Sequence, residues 1–176
     1  TLYHLIFIVK IKIIMKVSIL GSGLTSLTLA KMLSNQGINV DIFSNQKSIK
    51  NSIDLSGVGL HSGLNVDITL EQAPEDNGIK FIRTDKKKNN IIDALWSNVS
   101  ATNLSTTISN NNNLSVSTIE HLMSALSGLH IDNVNIYING PEVPIMDGSS
   151  KPFVELIEQN GIEIQNKKRK ILKVKR

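Results

Sequence analysis

STIEHLMSALSGLHIDNVNIYIN, residues 117–139, changes period halfway along its length. In the first half apolar residues recur every three or four positions, at Ile119, Leu122, Met123 and Leu126, with Leu129 at the margin. At the helical repeat these fall on one stripe, while Glu120, His121, Ser124 and Gly128 fall on the opposite side. In the second half, VNIYIN (134–139) alternates apolar and polar residues, the period of a half-buried strand. A one-sided helix followed by a one-sided strand predicts helices packed on a sheet.

The flanks extend that pattern. Upstream, NVDITLEQA (65–73) alternates, GIKFIR (78–83) reads as a further strand, and Asp93 to Val99 leads toward another through Leu104 to Ile108. Asn110 to Asn113 is a polar run that reads as a loop tip. Downstream, GPEVPIMDGSS (140–150) is rich in turn residues, with Pro141 and Pro144 as rigidifiers. Pro152 suits the first turn of a helix through Phe153, Val154, Leu156 and Ile157, stopped by Asn160-Gly161. Strands and helices without βαβ regularity predict an α+β domain of two layers, sheet and helix, over residues 47–166. Residues 167–176 read as a linker and the first strand of a following domain.

Residues 15–46 have a different character. VSIL (17–20) is a short apolar strand, GSGLTS (21–26) a glycine turn, and Leu27, Ala30 and Leu33 a helical pattern halted at Gly37. INVDIF (38–43) follows as a second strand. This order is an incomplete Rossmann-like βαβ unit, in which Gly21, Gly23 and Ser26 are the candidate cofactor-binding positions. Ser26 replaces the third glycine, and the acid expected after the second strand falls at Ser44, the nearest one being Asp41 inside the strand. One such unit cannot bury both sheet faces, so binding of FAD or NAD is not expected. Residues 1–14 are apolar but carry Lys10 and Lys12, and are too short to span a bilayer. No transmembrane segment is expected, and because Met15 resembles an initiator, residues 1–14 read as upstream sequence.

Composition excludes several classes. There are no cysteines, so disulfide scaffolds, thiolate zinc sites and cysteine nucleophiles are out, which fits a reducing, cytoplasmic setting. Any zinc must rest on His, Asp or Glu. The net charge of +4 comes largely from Lys86-Lys87-Lys88 and Lys167-Lys168-Arg169-Lys170, with no aromatic residues interleaved, so no nucleic-acid partner is expected.

Glu120-His121 admits two accounts. Ser117-x-x-Glu120 fits a capping box worth about 1 kcal/mol, with His121 a surface residue, and spacing favours this commoner motif. Alternatively a carboxylate and an imidazole side by side could share a metal-held water, His121 as ligand and Glu120 as proton acceptor. The small Ser124 and Gly128 would let a ligand approach.

SGVGLHSG (56–63), the block from Ser117 to Ser150, and KPFVELIEQNGI (151–162) resemble, in this order, the UDP-3-O-acyl-N-acetylglucosamine deacetylases, zinc enzymes of lipid A biosynthesis. The resemblance runs from about Lys47 to Arg176, the family's N-terminal half. Residues 16–45 resemble the N-terminus of flavin-dependent ubiquinone-type hydroxylases. The deacetylase resemblance implies that Glu120 is the general base and His121 a zinc ligand. It implies that His61 lines the cleft near the substrate, and that Asn103, Ser105 and Thr106 border the sugar of a UDP-linked acylated glucosamine. Asp147 is then structural support or simply a turn residue, and His130 a cap or loop residue. The family's other zinc ligands, a histidine and an aspartate in an HKxxD-type motif, belong to a C-terminal domain, and no such motif occurs in these 176 residues. The chain alone is therefore expected to bind zinc weakly and to deacetylate nothing. The alternative readings are a non-catalytic remnant or binding module in which Glu120 merely caps, and behind that an FAD- or NAD-binding oxidoreductase fragment.

Overall fold

The computed structural model describes residues 16–20, 31–33, 35–36 and 39–169. They fall into two compact units, of which Asn45–Lys168 is by far the larger. In the smaller unit, β1 (Lys16–Leu20) and β2 (Asn39–Phe43) pair in parallel, and residues 31–33 are helical. Gly21, Gly23 and Ser26 lie outside the described residues, as do residues 1–15 and 170–176. The segment joining the pair lies largely outside the described residues, so a Rossmann-like unit is not supported, and nothing described supports a flavin-hydroxylase fragment.

The larger unit begins with β3 (Asn45–Ile49), β4 (Ile53–Val58), β5 (Asn65–Gln72), β6 (Ile79–Arg83) and β7 (Ile91–Asp93). A 3-10 turn at Trp96–Asn98 leads into β8 (Val99–Ala101), β9 (Thr107–Ser109) and β10 (Ser115–Val116). Helix α1 (Glu120–Gly128), β11 (Val134–Ile138), helix α2 (Lys151–Asn160) and β12 (Ile162–Lys168) complete it. The principal sheet has the order β4-β5-β11-β6-β7, antiparallel except where β11 runs parallel to β6. Its register lines up the apolar positions: Ile53, Leu70, Ile136, Phe81 and Ile92 form one row across all five strands. All five are buried, so period-two alternation has placed a single apolar face against the helices. Fully burying each such side chain contributes about 1.5–3 kcal/mol.

The helices cover that face. Leu122, Ala125 and Leu126 of α1 and Phe153 and Ile157 of α2 enter the same core as the sheet row, and the two helices touch. Two layers follow directly, an α+β architecture. Met123 and Leu129 are only partly buried and pack at the edge of this core, which Ala125 enters. Helix α1 ends in a Schellman motif: His130 is left-handed at φ 59°, its amide reaches Ser127, and Ile131 N–H reaches the Leu126 carbonyl at 2.8 Å. Gly161, at φ 88°, ends α2 after Asn160.

Three features depart from the sequence expectation. The strand expected from Leu104 to Ile108 starts only at Thr107, because Leu104 is left-handed at φ 60° and its side chain 92% exposed. β8, β9 and β10 instead form a small antiparallel sheet of their own. β12 runs through Ile162–Lys168, into the stretch read as a linker, and pairs with β3. Its polar residues hid it: Gln165 and Gln46 both bond the buried Asn133, at 2.7 and 2.8 Å, in an amide network that leaves the group satisfied.

Candidate active site

Ser117 is held on both backbone sides by the segment after β11. Its N–H donates to the Pro141 carbonyl at 2.9 Å, and its carbonyl accepts from Val143 N–H at 3.0 Å. Thr118 then turns left-handed at φ 56°. A β-branched residue in that region costs about 1–3 kcal/mol and persists only where its surroundings hold it. Ile119 tucks into the core, and α1 starts with Glu120.

This local path removes the capping box. The residue at the N-cap position is Ile119, with no side-chain cap, and the Ser117 amide is already occupied by Pro141. Ser117 Oγ turns to the Pro141 carbonyl instead. Glu120 does not reach back. Its Oε1 accepts a hydrogen bond from the backbone N–H of Thr106, at the foot of β9. The left-handed step at Thr118 is the physical reason, since an extended N-cap is what a capping box requires.

Of the residues singled out in the sequence, the structure therefore joins Thr106 to Glu120 directly, through main chain to carboxylate. Ser105 is half-buried beside it, and Asn103 is exposed. Glu120 and His121 are half-buried, and Ser124 and Gly128 exposed, on the side of α1 away from the core. His121 Nδ1 is buried without a hydrogen-bond partner among the described residues. An orphaned buried nitrogen costs stability unless something is there to use it. An imidazole donor beside a carboxylate fits the chemistry of a metal site. Even so, no group of three His, Cys, Asp or Glu side chains converges among the described residues, so this pair is part of a ligand set at most.

His61 sits exposed in the glycine loop after β4, and one carboxylate connects that loop to the α1 start. Glu142, 1% exposed, accepts from His61 N–H at 3.0 Å and Thr118 Oγ1 at 2.8 Å through Oε1, and from Ser62 N–H at 2.7 Å through Oε2. Burial alone would push its carboxyl up, but the His61 amide with the Ser62 and Thr118 groups outweighs this and holds it down at about 2. The sequence reading missed Glu142, whose only signal was an acid between two prolines in a turn-rich stretch. Asp147, by contrast, bonds Ser149 N–H and Oγ at 2.9 and 2.8 Å in an exposed turn.

Comparison with known proteins matches residues 46–176 to the family model described as UDP-3-O-acyl N-acetylglycosamine deacetylase. Among curated relatives, a UDP-3-O-acyl-N-acetylglucosamine deacetylase of Geotalea uraniireducens is 51% identical over 131 residues, covering 74% of this chain and 42% of the relative. Proteins of the same name from Syntrophotalea carbinolica and Teredinibacter turnerae are 47% and 49% identical over 131 residues, with 74% of this chain and 42% and 43% of each relative covered. The chain thus spans less than half the length of these relatives. With three quarters of its residues inside the family match, the chain belongs to the UDP-3-O-acyl N-acetylglycosamine deacetylase family.

Proposed function

We propose that this chain carries the general base and one metal ligand of a zinc-dependent deacetylase acting on UDP-3-O-acyl-N-acetylglucosamine in lipid A biosynthesis. The observation that carries the reading is the Thr106–Glu120 bond, which uses the carboxylate across the site instead of as a helix cap. With Oε1 anchored on an amide, Glu120 keeps Oε2 to take a proton from the attacking water and later deliver it to the departing amine. His121 would hold the metal, and its orphaned ring nitrogen supports a ligand role. Zinc, when bound, supplies Lewis acidity that acidifies water and polarises the acetamide carbonyl. His61 and the 103–106 segment border the sugar, and the remaining ligands come from the length that the relatives have beyond this match. The acetamide C–N bond breaks, acetate leaves and a glucosamine amine remains. No helix among the described residues is long and apolar enough to cross a membrane. The absence of cysteine suits a cytoplasmic setting.

The test grafts residues 46–176 into the Geotalea uraniireducens relative in place of its matching 131 residues and follows acetate release from the UDP-linked substrate with zinc present. Turnover supports the reading. A folded graft that binds zinc and releases no acetate overturns it.

A further inference from the structure

We infer that Glu142 is a positioning residue: its buried carboxylate locks the glycine loop that carries His61 to the left-handed Thr118 turn that aims Glu120. What that positioning serves rests on the deacetylase reading. The geometry itself does not.

Three separate stretches meet on this one group. The loop after β4 supplies the amides of His61 and Ser62, the approach to α1 supplies the Thr118 hydroxyl, and the turn after β11 supplies the carboxylate. The groups that hold the charge of Glu142 are amides and hydroxyls of His61, Ser62 and Thr118, with no lysine or arginine among them. The loop is shaped around it. A Cβ on Gly59 would stand 2.5 Å from Glu142 Oε2 and collide with Ser62 Oγ, so only glycine fits there. A Cβ on Gly57 would stand 2.8 Å from the Pro144 Cβ, which keeps the end of β4, where that loop starts, flush against the 141–145 turn. On the other side, Pro141 and Val143, which flank Glu142, grip the backbone of Ser117.

Thr118 is the lever. A threonine does not rest at φ 56° unaided, and its hydroxyl bond to Glu142 is the side-chain contact that restrains it. The turn at Thr118 sets the direction in which α1 starts, and with it the carboxylate that meets Thr106. Without the tether, Thr118 relaxes toward an ordinary conformation, the first turn of α1 rotates, and the Glu120–Thr106 bond loosens. At the same time the His61 and Ser62 amides lose their acceptor.

The test is amide hydrogen exchange and amide proton shifts on the full 176-residue chain, wild type against Glu142→Ala, which removes both acceptor oxygens, with Ile136 in the central sheet as reference. The expected result is exchange at His61 and Ser62 faster by about tenfold or more relative to Ile136, together with a change in the Thr106 amide proton shift. An unchanged Thr106, or equal acceleration of every amide including Ile136, overturns the inference, since the carboxylate then supports the fold without aiming anything. A second variant, Thr118→Gly with Glu142→Ala, separates the two arms, and it carries the comparison if the single variant does not fold. Glycine holds positive φ without help, so Thr106 should return toward its wild-type shift while His61 and Ser62 stay fast. Failure of Thr106 to return overturns the route through Thr118. Because these readouts are amides, their failure counts against positioning alone. Absent turnover in the graft counts against the deacetylase reading alone.

Discussion

Glu142 makes the stability of this domain steeply pH-dependent, and by an amount that can be worked out. Its carboxyl stands at about 2 in the fold instead of the ordinary 4.5. At about 1.4 kcal/mol per pH unit, that difference contributes roughly 3 kcal/mol to folding at neutral pH. The sign follows from which state binds the proton. Between pH 4.5 and 2 the unfolded chain takes up a proton that the folded carboxylate refuses, so the stability is full above 4.5 and drains away as pH falls toward 2. Glu142→Gln imitates the protonated group, and it should cost roughly 3 kcal/mol at pH 7 and progressively less below pH 4.5, the two proteins converging near pH 2. Asp85 and Asp147, whose carboxyls are also held low by neighbouring hydrogen bonds, shape the acid limb of both proteins equally and cancel in the difference. Urea unfolding followed by far-UV circular dichroism at several pH values between 2 and 7 measures it. Fluorescence is a poor choice, because the one tryptophan, Trp96, is 89% exposed in the folded protein. A wild-type-minus-variant difference that stays constant across this range, or is absent at pH 7, would falsify the assignment of the carboxylate's charge to the His61, Ser62 and Thr118 donors.

Two glycines should respond oppositely to alanine: Gly59→Ala should cost about 1–3 kcal/mol through its collision with Ser62 and Glu142, whereas Gly128→Ala, with open space around it, should gain about 0.5 kcal/mol. Equal effects in urea melts would mean the glycine loop is not packed around the carboxylate. Phe153→Ala should cost about 3–5 kcal/mol, as a ring fully buried between α2 and the sheet, while Leu104→Ala should stay within about 0.5 kcal/mol; the reverse ranking in the same assay would contradict the two-layer packing. Titrated with zinc by calorimetry, the chain should bind weakly, because one imidazole and one carboxylate fall short of the three protein ligands a catalytic zinc takes. His121→Ala should abolish that binding, and tight binding surviving the change would place the metal elsewhere.

Periodicity carried the sequence reading where side chains alone decide the outcome. Val66, Ile68 and Leu70 in β5, Val134, Ile136 and Ile138 in β11, and Leu122 and Leu126 in α1 are buried where alternation or the helical repeat puts them. Pro152 and Gly161 bracket α2 for reasons of backbone geometry legible in single residues. What was not legible depends on distant partners. β12 is polar along most of its length and exists because β3 and the Asn133 amide network receive it. The capping box at Ser117 is a sound local reading that loses to tertiary structure: the Pro141–Val143 segment, some two dozen residues on, takes the Ser117 backbone and turns Thr118 left-handed. Glu142 was invisible for the same reason, since nothing near it in sequence shows that two amides and a hydroxyl will converge on it. The candidate pair Glu120-His121 was legible as two adjacent residues. That Glu120 closes no capping box was not, because its carboxylate is taken by the Thr106 backbone just before β9.

The most direct measurement compares Glu120 with Glu120→Gln in the grafted enzyme, as kcat for acetate release alongside urea stability. The account expects turnover to fall by about a hundredfold or more, with stability changed by no more than about 1–2 kcal/mol from the altered bond to Thr106. Unchanged turnover together with a lost kilocalorie or two would mean that Glu120 merely braces the helix, and the chemistry assigned here would belong to other residues.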